Sequence, residues 1–415
     1  LFEIGVCLPQ SEKTKQFIAF AVKNLEVQVR MQIMPDGVHW EQSPMYHNEV
    51  LHCLLDVILL AKRNDIALPD VILRQTEKMA MADVAWLKPD HHIVMMGDSD
   101  DVDVRDRISV AAYLFLNPVL RFGGFDRLDY ESIWDLGMKA GEEYAGMERR
   151  KPDFTSLFLE HSGNTYFRSD WSERANFLHL HSGTMGAGHG HSDKLHIDLV
   201  VNGEDVLMDG GRYTYVSGPK RFSYKDPSGH NTITVDDLPF TVCKDSWECS
   251  KLSQPVKENF RCTKLAEFAQ AGQLGYMDLP SGVYVNRKVV YIKPDLYVLA
   301  DEMYTGDRHT YQQYFHFNNH GTVTQNAPGE KKFPCVAYRG KMAEADFYFV
   351  SAQVKAELKS GHIARHYNVE EENTVCKVTK QGEGFTSLIT VIDAQPGRPL
   401  SIEKLPVRSA LKQTD

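Results

Sequence analysis

The chain has 415 residues, 42% of them hydrophobic and 25% charged, and its formal net charge is −10 at pH 7. The length argues for two domains, and the composition for an ordinary soluble chain with a sizeable core, which excludes intrinsic disorder. The acidic balance argues against general nucleic-acid binding, because a polyphosphate would meet a repulsive field; a locally basic groove stays open.

The chain starts at Leu1, and no basic segment followed by an apolar run is visible, so the start reads as processed or trimmed. Amphipathic spacing then predicts helices. Phe17, Ile18, Ala21, Val22 and Leu25 make one stripe within 14–31, and Leu51, Leu54, Leu55, Ile58 and Leu59 make another within 46–65. Pro69 suits the first turn of a third helix ending near Trp86, and 103–116 reads as a fourth. HHIVMMGDSDDVD, between the last two, reads as a loop. No run approaches the roughly 18 apolar residues that a membrane-crossing helix needs.

The polar segment 139–153 marks the domain boundary. Beyond it, short alternating or β-branched runs at 176–181, 195–201, 232–235, 282–292, 296–300, 310–317, 345–350 and 387–392 are separated by Gly, Asn, Asp and Pro. They predict a β-sandwich or a large antiparallel assembly, so the chain is helical first and β second, not a wound α/β sheet. The seven cysteines are scattered, odd in number and without a CxxC, so free thiols are expected.

Five histidines fall within 18 residues: His179, His181, His189, His191 and His196. Leu195, Ile197, Leu199 and Val201 alternate with polar residues, as in a half-buried strand, and Asn202-Gly203 signals a hairpin turn. Folding back along that strand returns Asp209 to the level of His191, and His230 follows 21 residues later. Two neutral imidazoles and a carboxylate suit a first-row metal, most simply zinc; histidines that pack or hydrogen-bond are the alternative. Gly188 and Gly190 beside the histidines suggest close backbone approach.

In MPDGVHWEQSPMYHNEV, Pro35-Asp36-Gly37 marks a turn and Ser43-Pro44 introduces a helix near Tyr46-His47. Polar and aromatic groups at a helix N-terminus can meet an anion. A capped helix start with an ordinary aromatic contact is the alternative.

Together, PDG…EQSPMYH, GDSDD, YFRSDWS, GHGHSDKLHIDLVVNG…DGGRYTY and SGHNTITVD resemble, in order and spacing, the heparinase II/III family of polysaccharide lyases. Within it they look most like the heparin-sulfate lyases of the heparinase III type. The resemblance implies an α+β multidomain chain. Residues 1–150 would be the C-terminal part of an incomplete (α/α) toroid, and residues 151–415 antiparallel β-sandwich sheets carrying the metal site. Substrate would lie in the cleft between them.

By position Tyr46 matches the family's catalytic tyrosine, and His189 the histidine that assists at the sugar carboxylate. Tyr213 matches a tyrosine that can help with proton transfer. His191, Asp209 and His230 match the ligands of one divalent metal ion, expected to be a structural zinc pinning the hairpin beside His189. His47 and Arg221 are expected substrate contacts. The family also carries an asparagine on an earlier toroid helix. Only 45 residues precede Tyr46, and Asn24 lacks the motif, so that asparagine and the rest of the toroid are expected upstream of Leu1. Asn318-Asn319-His320 lies in the β region and is no substitute.

The implied reaction is β-elimination on a uronic-acid polysaccharide. A base removes the C5 proton, the C4–O bond breaks, and a 4,5-unsaturated sugar remains. Tyr46 would be the base, helped by a cation or donor because a free tyrosine titrates near pH ~10. His189 would stabilise the charge developing on the carboxylate. A polyanionic substrate demands a basic strip, for which Lys194, Arg212, Lys220, Arg221 and Lys225 are the candidates. Heparan sulfate is the expected polymer. Alginate, hyaluronan or chondroitin, a non-catalytic carbohydrate-binding relative, and a zinc hydrolase are the competing readings. The family is commonly exported, so a periplasmic or extracellular location is expected, with the cytoplasm open.

Overall fold

Ser11 and Thr14 exchange side-chain and backbone hydrogen bonds at the start of helix Glu12–Gln32, a capping box. Helices Pro44–Arg63, Asp70–Trp86 and Arg105–Phe115 follow, with shorter helices before and after. The computed structural model describes residues 1–327, 332–398 and 400. Each predicted helix is present. Pro44 sits in the first turn of the helix that carries Tyr46, so this helix starts two residues before that tyrosine. Pro69 instead caps its helix from just outside. The apolar stripes meet in one core, where Leu51, Leu55 and Ile58 pack with Met79, Trp86 and Ile108.

The change from helix to strand falls between Ala145 and Leu157. Among the described residues, fifteen strands form one connected antiparallel sheet, and a separate ribbon pairs Val242–Cys243 with Cys249–Lys251. The spine of the sheet is the long pair Leu296–Phe317 and Val369–Asp393, in register from Leu296↔Asp393 to Phe317↔Thr374. The predicted strands 296–300 and 310–317 are therefore two ends of one strand. The polar stretch between them lies on a solvent-facing, bulged part of the ladder, which concealed the continuity.

Strands Asn164–Arg168, Phe177–His181 and His196–Val201 are buried throughout. Their period of two explains how. Leu178, Leu180, Ile197 and Leu199 face the core of the sheet, whereas Tyr166, Phe177 and Val200 join the core of the helices. The helical and β halves thus share packed apolar surface. His179, His181, His196 and Asp198 alternate with the apolar residues and form a buried polar layer, with Asp198 bonded to both His179 (3.0 Å) and His196 (3.1 Å). The Asn202-Gly203 turn has φ of 49° and 81°, as a tight hairpin requires, and it returns Glu204–Leu207 along His196–Val201.

Candidate functional site

The acidic loop 97–101 is where the two halves are joined chemically. Gly97 has φ of 61°, and a Cβ there would lie 2.8 Å from the His189 carbonyl oxygen. Asp98 donates its backbone N–H to that same carbonyl at 2.8 Å. The Asp98 carboxylate accepts from two Arg221 nitrogens at 2.6 and 2.7 Å and pairs with His191 Nε2 at 2.8 Å. Burial opposes its ionisation, but His191 and Arg221 hold its pKa at about 2. Ser99 Oγ meets Ser43 Oγ at 2.9 Å and accepts the Met45 N–H at 3.1 Å, which fixes the start of the helix carrying Tyr46. Asp100 receives Arg212 through two bonds of 2.7 and 2.9 Å.

This loop brings Tyr46 and His189 face to face, with ring centroids 3.5 Å apart and planes 11° apart. His189 Nδ1 donates to Glu41 Oε2 at 2.6 Å. That hydrogen bond lowers the Glu41 pKa, burial opposing it, so Glu41 is an ionised acceptor and Nδ1 carries the proton. The Tyr46 hydroxyl lies 2.7 Å from the Tyr215 hydroxyl, to which Arg212 donates at 2.7 Å. Arg212 has no acceptor, so Tyr215 takes its bond through oxygen and keeps its own proton free for Tyr46. Burial above all, then the Asp98 charge, raises the Tyr215 pKa and keeps it protonated. A cleft of about 320 Å³ opens beside Tyr46 and His189; its walls are mainly apolar, from Leu25, Val29, Ile33, Val50 and Leu54, with Glu41, Glu49 and His39 among them.

Gly190 is required by packing, since a Cβ there would lie 1.6 Å from the Met185 carbonyl oxygen. It leads into His191, which with Asp209 and His230 offers three ligand atoms within 4.8 Å of one another, all buried. His191 Nδ1 and His230 Nε2 are buried with no hydrogen-bond partner, while the other ring nitrogens are held by Asp98 and Asp209. Two orphaned imidazole nitrogens, on rings held by Asp98 and by Asp209, with Asp209 itself the one carboxylate of the cluster, fit a metal ion.

Several expected site residues have other surroundings. His47 is buried, accepts the His39 N–H at 3.1 Å and meets the Met79 carbonyl at 3.2 Å, so its ring braces the fold and faces no cleft. Arg221 is likewise buried and spent on Asp98. Tyr213 stacks on Tyr224, with centroids 5.5 Å apart; the tyrosine that reaches Tyr46 is Tyr215. The expected basic strip is engaged throughout: Arg212 by Asp100, Lys220 by Glu370, Lys225 by the carbonyls of Gly188 and Ser246, and Lys194 by burial. Sequence reasoning missed Glu41, Tyr215 and the acids of loop 97–101. All of them stand inside the motifs EQSPMYH, DGGRYTY and GDSDD that carry the resemblance, but no role was read from them there.

Residues 151–395 match the family profile described as Heparinase II/III-like, C-terminal, and residues 1–118 match that of the Heparinase II/III N-terminus. The chain is 25% identical over 258 residues to the heparin-sulfate lyase of Pedobacter heparinus, covering 59% of this chain and 36% of that protein. It is 23% identical over 319 residues to the heparin-sulfate lyase of Bacteroides thetaiotaomicron, covering 72% and 42%. Its fold matches the crystal structure of heparan sulfate lyase HepC from Pedobacter heparinus with a TM-score of 0.77 at 18% identity, over 94% of this chain and 58% of that one. A heparinase III structure matches with a TM-score of 0.79 at 17% identity, over 94% and 58%. The aligned stretches thus span less than half the length of the two sequence relatives.

Proposed function

This chain belongs to the heparinase II/III family, and from that membership we propose that it is a polysaccharide lyase acting on a uronic-acid glycosaminoglycan of the heparan sulfate kind. The observation that carries the reading is the stack of Tyr46 on His189, with Tyr215 bonded to the Tyr46 hydroxyl.

In this reading the Tyr46 oxygen takes the C5 proton of the uronate. The electron pair of the C5–H bond forms the C4=C5 double bond as the C4–O bond breaks. The leaving oxygen then takes the proton back from Tyr46. Tyr215, fixed by Arg212, donates to the Tyr46 oxygen while that oxygen is charged. His189, held by Glu41 through Nδ1, acts in this reading as the imidazolium, so that its Nε2–H donates to the sugar carboxylate, where negative charge develops. The helices are read as an arc of an (α/α) toroid, with the polymer lying between that arc and the sheet. His191, Asp209 and His230 would hold one divalent ion, zinc, which supplies fixed positive charge and cross-links the hairpin to the segment bearing His189. Export to the periplasm or cell exterior is part of the same proposal.

The test is a panel of heparan sulfate, heparin, hyaluronan, chondroitin sulfate and alginate, read by ultraviolet absorbance of an unsaturated uronate. Product from heparan sulfate, lost in Tyr46→Phe, supports the reading. A saturated new end would make the protein a hydrolase. Binding with no product at all would make it a carbohydrate-binding relative.

A further inference from the structure

The ribbon outside the large sheet brings two cysteines together. Cys243 and Cys249 are register partners on its two strands, with Sγ atoms 3.0 Å apart. Facing residues of an antiparallel pair have Cα atoms about 4.5–5.5 Å apart, within the span a disulfide bridges. We propose that Cys243 and Cys249 are a disulfide-forming pair whose bridge clamps the Trp247 loop over His189.

The loop they close, 244–248, reaches the candidate site from outside. The Trp247 ring meets the His189 imidazole edge-on at 5.5 Å and the Tyr215 ring at 5.0 Å. A Cβ on Gly188 would already lie 3.2 Å from Trp247 Cε3. Ser246 donates to the Tyr215 carbonyl at 2.7 Å, and Lys225 donates to the carbonyls of Gly188 (2.9 Å) and Ser246 (3.1 Å). Yet Trp247 is 51% exposed, and its loop hangs on two strands of two and three residues. A two-stranded ribbon is marginal on its own, so a covalent tie across its base decides how firmly Trp247 stays on His189.

The chemistry needs an external disulfide as oxidant, such as glutathione disulfide. The hydrogen bond between the two thiols raises the Cys243 pKa and lowers that of Cys249, which Lys225 favours further as a thiolate. The Cys249 thiolate attacks one sulfur of the oxidant and expels the other as a thiolate. Cys243 then loses its proton and attacks the Cys249 sulfur of the mixed disulfide, releasing the second thiol. Two protein thiols and one external disulfide become one protein disulfide and two external thiols.

The folded chain is incubated with glutathione disulfide, unfolded in an alkylating agent without reductant, and digested with trypsin. Cleavage after Lys225, Lys244 and Lys251 puts the cysteines in separate peptides, 226–244 and 245–251, which only a bridge holds together. The expected species has their summed mass less two hydrogens, disappears on reduction, and is absent in Cys243→Ser. Finding both peptides singly alkylated, or Cys249 carrying glutathione alone, overturns the pairing. Hydrogen exchange tests the clamp: the 246–248 amides should exchange about tenfold more slowly in the bridged form, and equal rates overturn it. The effect of the bridge on turnover rests on the lyase reading. If neither form turns over polymer, that reading fails while mass and exchange still decide the clamp.

Discussion

Tyr46 and His189 lie 143 positions apart (189 − 46) yet stack with 3.5 Å between ring centroids. The contact joins a helix of the first half to the loop leading into a strand of the second. It places a hydroxyl that can take a proton beside an imidazole that can meet a carboxylate.

Tyr46→Phe keeps the ring on His189 and removes only the oxygen. Turnover should fall by about 10²–10⁴-fold, the usual share of a positioned acid–base group, with KM almost unchanged. Stability should move by less than about 0.5 kcal/mol, because the packing is retained. Initial rates of unsaturated-product formation and a urea titration measure the two. Turnover close to that of the parent would sink Tyr46 as the base.

Tyr215 and Tyr213 give opposite expectations although two residues apart. Tyr215→Phe removes the donor 2.7 Å from the Tyr46 hydroxyl and leaves an Arg212 N–H without its acceptor. A loss of about 10²-fold in kcat is expected, as for other donors aimed at a developing oxyanion. Tyr213→Phe keeps a ring against Tyr224 and Lys220 and should leave kcat within about twofold, since no group bonded to Tyr46 changes. If Tyr213→Phe proved the more damaging of the two, the Tyr215–Tyr46 bond would not be the proton path.

Metal content is the third measurement. Purified protein should carry about one divalent ion per chain by elemental analysis, held by His191, Asp209 and His230. His230→Ala should empty the site and cost ~1–3 kcal/mol, because Asp209 then loses its 2.7 Å partner in a buried position. A chelator should lower Tm of the parent and leave His230→Ala unaffected, as expected when an ion binds only the folded state. A parent protein that stays metal-free in excess zinc, with Tm indifferent to the chelator, would reduce the cluster to a hydrogen-bonded core.

Local pattern made part of this legible. Alternation marked strands at 176–181 and 195–201, but the second, read as half-buried, is buried at every position from His196 to Val201 because the helical half covers its other face. The Asn202-Gly203 turn foretold the hairpin that leads to Asp209, and His191, Asp209 and His230 do come together. What local pattern could not show were partners supplied from far along the chain. Lys220, Arg212 and Arg221 read as a basic strip because they cluster in sequence, but their carboxylates come from Glu370, Asp100 and Asp98. His47 follows Tyr46 directly, and helix geometry turns its side chain about 100° away, from the cleft into the core. Glu41 carried no signal beyond its place five residues before Tyr46, because its meaning lies in the bond to His189.

His47 offers the pH test. Burial first, and then the His39 charge, depress its pKa from the ordinary 6.5 to about 3, with the Met79 carbonyl opposing. The unfolded chain therefore binds a proton here below pH 6.5, and the folded chain does so only near pH 3. The stabilisation from neutral His47 is complete above the unfolded value and is lost as pH falls, by about 1.4 kcal/mol per unit. His47→Gln should cost ~1–3 kcal/mol at pH ~7.5, where a buried hydrogen-bonded ring is lost. By pH ~5 that deficit should shrink by about 2 kcal/mol, because the variant has no proton to exclude. Asp83, pushed up to about 8 by burial, lies 3.7 Å from His47 Nε2, so the same titrations on Asp83→Asn with and without His47→Gln separate the two groups. Urea titrations at the two pH values give the difference directly, and KM for the polysaccharide should not move. A many-fold rise in KM with stability intact would instead make His47 a substrate contact, which its burial and its bonds to His39 and Met79 oppose.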